Sequence, residues 1–391
     1  MKRLVLVEPD SLGPAWQPFA GVRPVAELRA GMWKVRERWE RCFGLRTEAI
    51  AGAHCAGFVD VDAPPVVLPA DVTGPAVVAA SDFAPDLARV DLGDWRALVH
   101  DGHTVAMQIE EGEAIRWPGA VAHGAARIGG FPLRGTWTLL DALDHFLATD
   151  CAARAAEIGG ASPEGAIMVG TGHGLGVGRD ARIEPGVVFD LRQGAVAIEE
   201  HAEVRSGTRI EGPCWIGPGA RVLGGMVRGT VVGPMCVVQG EVSASIFLGY
   251  GNKAHEGFVG HSVLGHWTNL GALTTTSNLK NTYGRVRLEL AGEQVSTGRQ
   301  FLGTLMGDHA KTAIGTMLST GTVVGAGANV FGDGRPPRWV APFAWGQHAS
   351  EPMNQDGFLA IAGRVMPRRN VELTPEHDVW LRSLWQRLAG S

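Results

Sequence analysis

The chain has 391 residues, 45% hydrophobic and 19% charged, with 55 glycines and a formal net charge of −5. That balance excludes a disordered chain, and with no 18-residue apolar run and no basic block, neither a membrane nor nucleic acid is an expected partner. Five scattered cysteines (Cys42, Cys55, Cys151, Cys214, Cys236) without a Cys-x-x-Cys argue against a disulfide framework or zinc site, and an apolar start stopped at Glu8-Pro9 is too short for a signal peptide, so a cytoplasmic location is expected.

Residues 1–134 read as a mixed α/β domain. Arg3 to Val7 is a short strand of the buried type. A helix is predicted to open at Pro24, with Val25, Leu28, Met32, Val35 and Trp39 on one apolar stripe. Val66-Val67-Leu68, Ala76-Val77-Val78 and Thr104 to Ile109 read as strands separated by Pro, Gly and Asp. Leu139, Leu140, Leu143, Phe146 and Leu147 mark an amphipathic helix that ends before Gly159-Gly160, a linker over 135–160.

Over 161–335 the period changes. Ile198, Val204, Ile210, Ile216 and Val222 recur every sixth position, as do Val177, Ile183 and Phe189; Phe258, Leu264 and Leu270; and Leu318, Val324 and Val330. Neither a helix nor simple alternation yields period six. A parallel β-helix of hexapeptide repeats does, with one aliphatic per side pointing into the stacked core, and coils of this kind are left-handed. The repeat breaks over 277–311, where Val286, Leu288 and Leu290 alternate before Ala291-Gly292; a protruding hairpin is predicted on one face. After Gly332 to Pro337 the repeat pattern stops, and a tail over 336–391 carries two helices. The first is marked by Phe358, Ile361, Ala362 and Val365, the second by a Thr374-Pro375-Glu376 cap.

The chain has only five lysines, of which Lys253, Lys280 and Lys311 lie with both tyrosines (Tyr250, Tyr283) inside 250–311. That clustering singles the segment out. Its stretches Lys253 to Gly260, Asn269 to Ala272 and Thr274 to Asn278 resemble the acyltransfer site of the bifunctional UDP-N-acetylglucosamine pyrophosphorylase / glucosamine-1-phosphate N-acetyltransferase family. Over nearly the whole chain, Val22 to Arg29, Thr274 to Gly284, Gly307 to Thr312, Phe343 to Gly346 and Arg364 to Met366 resemble the related sugar nucleotidyltransferases of the glucose-1-phosphate thymidylyltransferase type.

The resemblance implies a nucleotidyltransferase-like front joined to a left-handed β-helix that transfers an acyl group from acetyl-CoA, or another acyl-CoA, to an amino-sugar phosphate. His255 takes the position of the general base. Asn269 and Asn278 take substrate-binding positions, Lys253 and Lys280 would meet the anionic ends of sugar phosphate or coenzyme A, and Ala272 and Thr274 fall in the stretch that would hold the acyl donor. The partners so implied are a sugar phosphate or nucleotide sugar and two further copies of the chain, a homotrimer with shared sites. Two departures stand out: Phe258 replaces a tyrosine whose hydroxyl contacts the sugar phosphate, and the stretch lacks one residue before His255.

For the front domain, nucleotidyl transfer wants backbone amides and a cation at the phosphates and carboxylates for Mg²⁺. The Gly-x-Gly-Thr-Arg signature is absent from the loop Glu8 to Pro14. Arg23 and Arg29, beside the predicted helix start, are candidate phosphate ligands, and Asp60 and Asp62 a candidate metal pair. Two alternatives to acyl transfer therefore stand: nucleotide-sugar synthesis with pyrophosphate release in the front domain, or a non-catalytic trimeric scaffold that binds sugar nucleotides.

Overall fold

Three hexapeptides close one coil. Val196 pairs in parallel with Cys214 and Val204 with Val222, each eighteen residues on, and the ladders run on in sheets of twelve and nine strands. The computed structural model describes residues 3–389 apart from 94, 116, 118–123 and 347–351. It contains an α/β domain, a parallel β-solenoid and two C-terminal helices, the architecture that the period-six pattern predicts.

Alternation along each short strand decides what each solenoid face meets. In the nine-stranded sheet Ile216, Val232, Phe247, Leu264, Met306 and Val324 point inward and form the solenoid core. Their neighbours Trp215, Val231, Ile246, Val263, Leu305 and Val323 point outward yet are also buried, in a core shared with the front domain. In the other long sheet the corresponding pairs are Asn252-Lys253, Asn269-Leu270, Lys311-Thr312 and Asn329-Val330, so an outward polar column replaces the apolar one. This polar column faces away from the shared core.

In the front domain Arg3–Val7 lies near the centre of a seven-stranded sheet, parallel to Thr47–Ala51 on one side and Ala76–Ala80 on the other. Thr47–Ala51 and Ala97–His100 are strands that the sequence pattern does not flag. The helix predicted from Pro24 does not form there. Val25–Glu27 is a single 3-10 turn, Arg29–Ala30 and Trp33–Lys34 pair as a hairpin, and helix α1 covers only Val35–Phe43. Gly31 is the reason: it holds φ +68° at the hairpin turn, and a Cβ there would lie 2.3 Å from the Asp150 carboxylate. The stripe residues are nonetheless all fully buried, so the pattern identifies core correctly and geometry wrongly.

Helix α2 (Thr138–Ile158) is more than a linker. Leu139, Leu143, Phe146 and Leu147 pack in the same core as Trp215 and Ile246, wedging the front domain onto the solenoid. The inserted segment makes the ladder skip from Val263 to Leu305, forty-two residues on. Its hairpin, Arg287–Leu290 with Glu293–Ser296, does not protrude. Val286, Leu288 and Leu290 are buried in the shared core, and Arg299 reaches Asp144 and Asp141 of α2. Beyond Pro337 a further strand, Trp339–Val340, continues the solenoid before α3 (Gln355–Val365) and α4 (Pro375–Leu388) cap a corner through Phe358, Trp380 and Leu384. No helix among the described residues is long and apolar enough to cross a membrane.

Candidate functional site

The solenoid wall narrows at one place. Residues five apart, Ile183 and Val188 and then Val204 and Arg209, span one corner; the next two coils shorten that step to four, Val222 to Met226, and three, Val238 to Glu241, and Lys253 to Phe258 restores five. The restored corner, Ala254 to Gly257, follows the two short ones and leaves His255 and Glu256 exposed. Val259, not Phe258, continues the interior column. Gly257 closes the turn at φ +131°, where a Cβ would lie 2.2 Å from the Thr274 carbonyl oxygen. Gly257→Ala is therefore expected to cost on the order of 1–3 kcal/mol, seen as a lowered melting temperature.

Around that turn the resemblance-implied residues divide. Asn269 sits on the outward polar column, its amide oxygen accepting from Asn252 at 2.9 Å, and Asn252 in turn accepts from Arg369 at 3.2 Å. Asn278 is held by an imidazole, donating to His261 Nδ1 at 2.8 Å. Phe301 stacks on that ring at 5.2 Å, and burial with Arg299 and Arg228 nearby lowers the His261 pKa to about 4. Lys280 is half-buried and donates to the Arg285 carbonyl.

Two expected ligands are corrected. Lys253 is 1% exposed inside the solenoid, so it cannot meet a phosphate. Thr274 is fully buried, with its hydroxyl 2.8 Å from that of Thr312, so no cofactor reaches it. Ala272 is half-buried, and its carbonyl accepts from Gly315.

Beside this turn lie two surfaces. A groove of about 590 Å³ is lined by the hydroxyls of Thr275, Ser277, Thr282 and Ser319 and by the cations Lys280 and Arg335. Along the neighbouring corner Leu273, Ile314, Phe331 and Trp345 stand on successive coils, 59%, 77%, 40% and 51% exposed, a continuous apolar ridge in water.

The front-domain candidates are not assembled as predicted. Arg23 is buried between Asp60 and Asp308, its Nε and Nη2 3.1 and 2.9 Å from the Asp308 carboxylate, and it joins the front domain to the solenoid. Arg29 is buried against Trp215 and donates to the Leu248 carbonyl. The amides of Val25 and Ala26 already hold the Glu8 carboxylate at 2.8 and 3.0 Å, so this turn offers no phosphate site. Asp60 and Asp62 form no metal pair. Asp60 is held by Arg23 and lies 2.9 Å from His266 Nδ1, while Asp62 turns its carbonyl to Arg36. No group of three or more metal-ligating side chains occurs among the described residues.

Asp60 belongs to a buried network with His266, His309 and His377. Its pKa is driven well below the usual range by His266 and Arg23 against desolvation, and burial lowers all three histidines. Every one of these groups binds fewer protons folded than unfolded. Stability is thus complete above about pH 6.5, the unfolded histidine value, and lost as pH falls below it. Thermal melts should be flat from pH 7 to 8 and fall steadily from pH 6.5 to 5; a melting temperature unchanged at pH 5 would contradict this.

Sequence reasoning missed a second cleft, at the carboxyl ends of Arg3–Val7 and Ala76–Ala80. About 460 Å³ in volume, it is lined by Asp10, Asp82, His100, His103, Thr104 and Arg134. Burial pushes the Asp82 pKa up. The signal was available: an acidic residue two positions after a strand parallel to Arg3–Val7, where open α/β sheets place their ligands.

Residues 4–157 match the family model described as sugar nucleotidyl transferase. The chain is 33% identical over 147 residues to the bifunctional sugar-1-phosphate nucleotidylyltransferase/acetyltransferase of Sulfurisphaera tokodaii, covering 36% of each protein. It is 35% identical over 86 residues to the bifunctional protein GlmU of Methanocaldococcus jannaschii, covering 22% of this chain and 21% of that one. The matched stretches thus span about a third or less of these relatives. The UDP-N-acetylglucosamine acyltransferase of Campylobacter jejuni aligns with 58% of this chain and 96% of its own at 14% identity, with a TM-score of 0.28.

Proposed function

We propose that the protein is a transferase of nucleotide-sugar metabolism whose solenoid moves an acyl group from an acyl-CoA, acetyl-CoA in the first instance, to the amine of an amino-sugar phosphate. The observation that carries this reading is the full-length corner, next to two shortened ones, that holds His255 in solvent. Neutral imidazole takes the proton from the amine as nitrogen attacks the thioester carbonyl; the C–S bond then breaks, giving an amide and the free thiol of CoA. The hydroxyl-rich groove with Lys280 and Arg335 suits the phosphates of the donor. The apolar ridge from Leu273 to Trp345 suits a neighbouring copy in a homotrimer, because the nine-stranded face is already covered by the front domain. Five free, buried thiols fit a reducing compartment, and we place the enzyme in the cytoplasm.

Incubation with acetyl-CoA and glucosamine 1-phosphate tests the reading: free thiol should be released in step with loss of the amine. Absence of thiol release across a panel of amino-sugar phosphates and nucleotide amino sugars would end it.

A second reading has its own observation, the family match over 4–157 together with the Asp82 cleft. There the front domain would join a sugar 1-phosphate to a nucleoside triphosphate and release pyrophosphate. Mg²⁺ needs only one or two carboxylates when phosphates supply its other ligands, and Asp82 with Asp10 fits that need where Asp60 and Asp62 do not. Pyrophosphate release lost in Asp82→Asn supports it; no release from any triphosphate and sugar phosphate argues for a front domain that only binds.

A further inference from the structure

A lysine occupies a place that the fold reserves for an aliphatic. Val204, Val222 and Val238 pair in sequence up one interior column of the solenoid, and the next residue in it is Lys253. Leu270 follows one coil on. Lys253 is 1% exposed, and no carboxylate among the described residues lies within ion-pair distance of it. Its ammonium has two acceptors, the carbonyl of Gln239 at 2.9 Å and that of His255 at 2.7 Å. Burying a cation with no ion-pair partner is unfavourable, and burial pulls its pKa down to about 8 against the opposing charge of Glu256. If stability were the only requirement, valine would serve here as it does one coil below.

Place and partners explain the lysine. Gln239 belongs to the coil with the shortest corner, His255 to the next coil, whose corner returns to full length. The ammonium joins the carbonyls of the two coils at the corner where the full-length one follows the short one. It acts from inside, on the backbone of the residue whose imidazole stands outside.

We propose that Lys253 is the positioning residue of the His255 turn, tying the His255 carbonyl to the Gln239 carbonyl and so setting where the imidazole stands over the substrate. The inference rests on the acyl-transfer reading of His255. A base displaced by about 1 Å can lose on the order of 100-fold in rate, so a two-bond tether is enough to matter.

The test uses the full chain with Lys253→Met, which keeps the stem, removes the donors and restores the column's apolar character. Melting temperature should hold or rise, since a buried charge is removed. KM for acetyl-CoA and for the amino-sugar phosphate should stay within about twofold, while kcat falls on the order of 10–100-fold. A kcat within about threefold of the parent overturns the proposal. So does a fall in kcat that comes with a lowered melting temperature and raised KM, the signature of a merely structural lysine. His255→Ala, run in parallel, separates the two claims: if it abolishes turnover while Lys253→Met does not, only the lysine's role fails. If His255→Ala is silent, both fall.

Discussion

His255→Ala is expected to lower kcat for thiol release from acetyl-CoA by about 10²–10⁴-fold, the usual worth of a positioned general base. The fold should not notice. The side chain is exposed, and only its backbone carbonyl, which alanine also has, is bound from inside by Lys253. An unchanged melting temperature with a collapsed kcat is thus the expected pair of results. The residual rate should rise with pH, because an amine that loses its proton to solvent no longer needs the imidazole. Turnover within about threefold of the parent would remove His255 from the chemistry. Attention would then pass to His261, whose Nδ1 is held by Asn278.

The largest effect on stability is expected at Arg23. Arg23→Met leaves Asp60 and Asp308 buried without their shared cation, and breaking a buried ion pair from one side costs about 3–5 kcal/mol. The guanidinium also lies 5.3 Å over the Phe58 ring, a contact that methionine replaces only in part. Because Arg23 belongs to the front domain and Asp308 to the solenoid, the loss should appear in both halves at once in a denaturant titration. Acid should narrow the gap between variant and parent, since an unpaired Asp60 regains an ordinary affinity for its proton. A cost below about 1 kcal/mol at pH 7.5 would show that the network is neutral to stability. Joint removal of Arg23 and Asp60 should cost less than Arg23→Met alone, because no orphaned charge then remains at Asp60.

How much of this was legible follows from particular residues. Period six named the interior column from Ile198 to Val222 without error, because each position must fill the same small triangular core. It failed at Phe258, since the interior residue there is Val259, only five positions and not six before Leu264. The stripe from Val25 to Trp39 was right about burial and wrong about helix; Gly31 breaks the helical path, and hairpin, turn and helix bury the same residues by different routes. Arg23 and Asp60 look like ligands in the sequence because spacing along the chain cannot reveal that Arg23 has a partner 285 residues away in Asp308. Paired apolar dipeptides, Val231-Val232, Ile246-Phe247 and Val263-Leu264, already carried the signal that the front domain covers one face, beside polar-apolar pairs on a face where tail residues meet polar side chains.

Local chemistry written along the chain determined the coil repeat, the capped terminal helix and the neighbourhood in which chemistry was to be sought, because those depend on residues a few positions apart. Which side chains in that neighbourhood reach solvent, and which are locked inside, was decided only by the stacking of coils. Lys253 and His255 are two residues apart in sequence; the wall between them puts one in the core and the other in water.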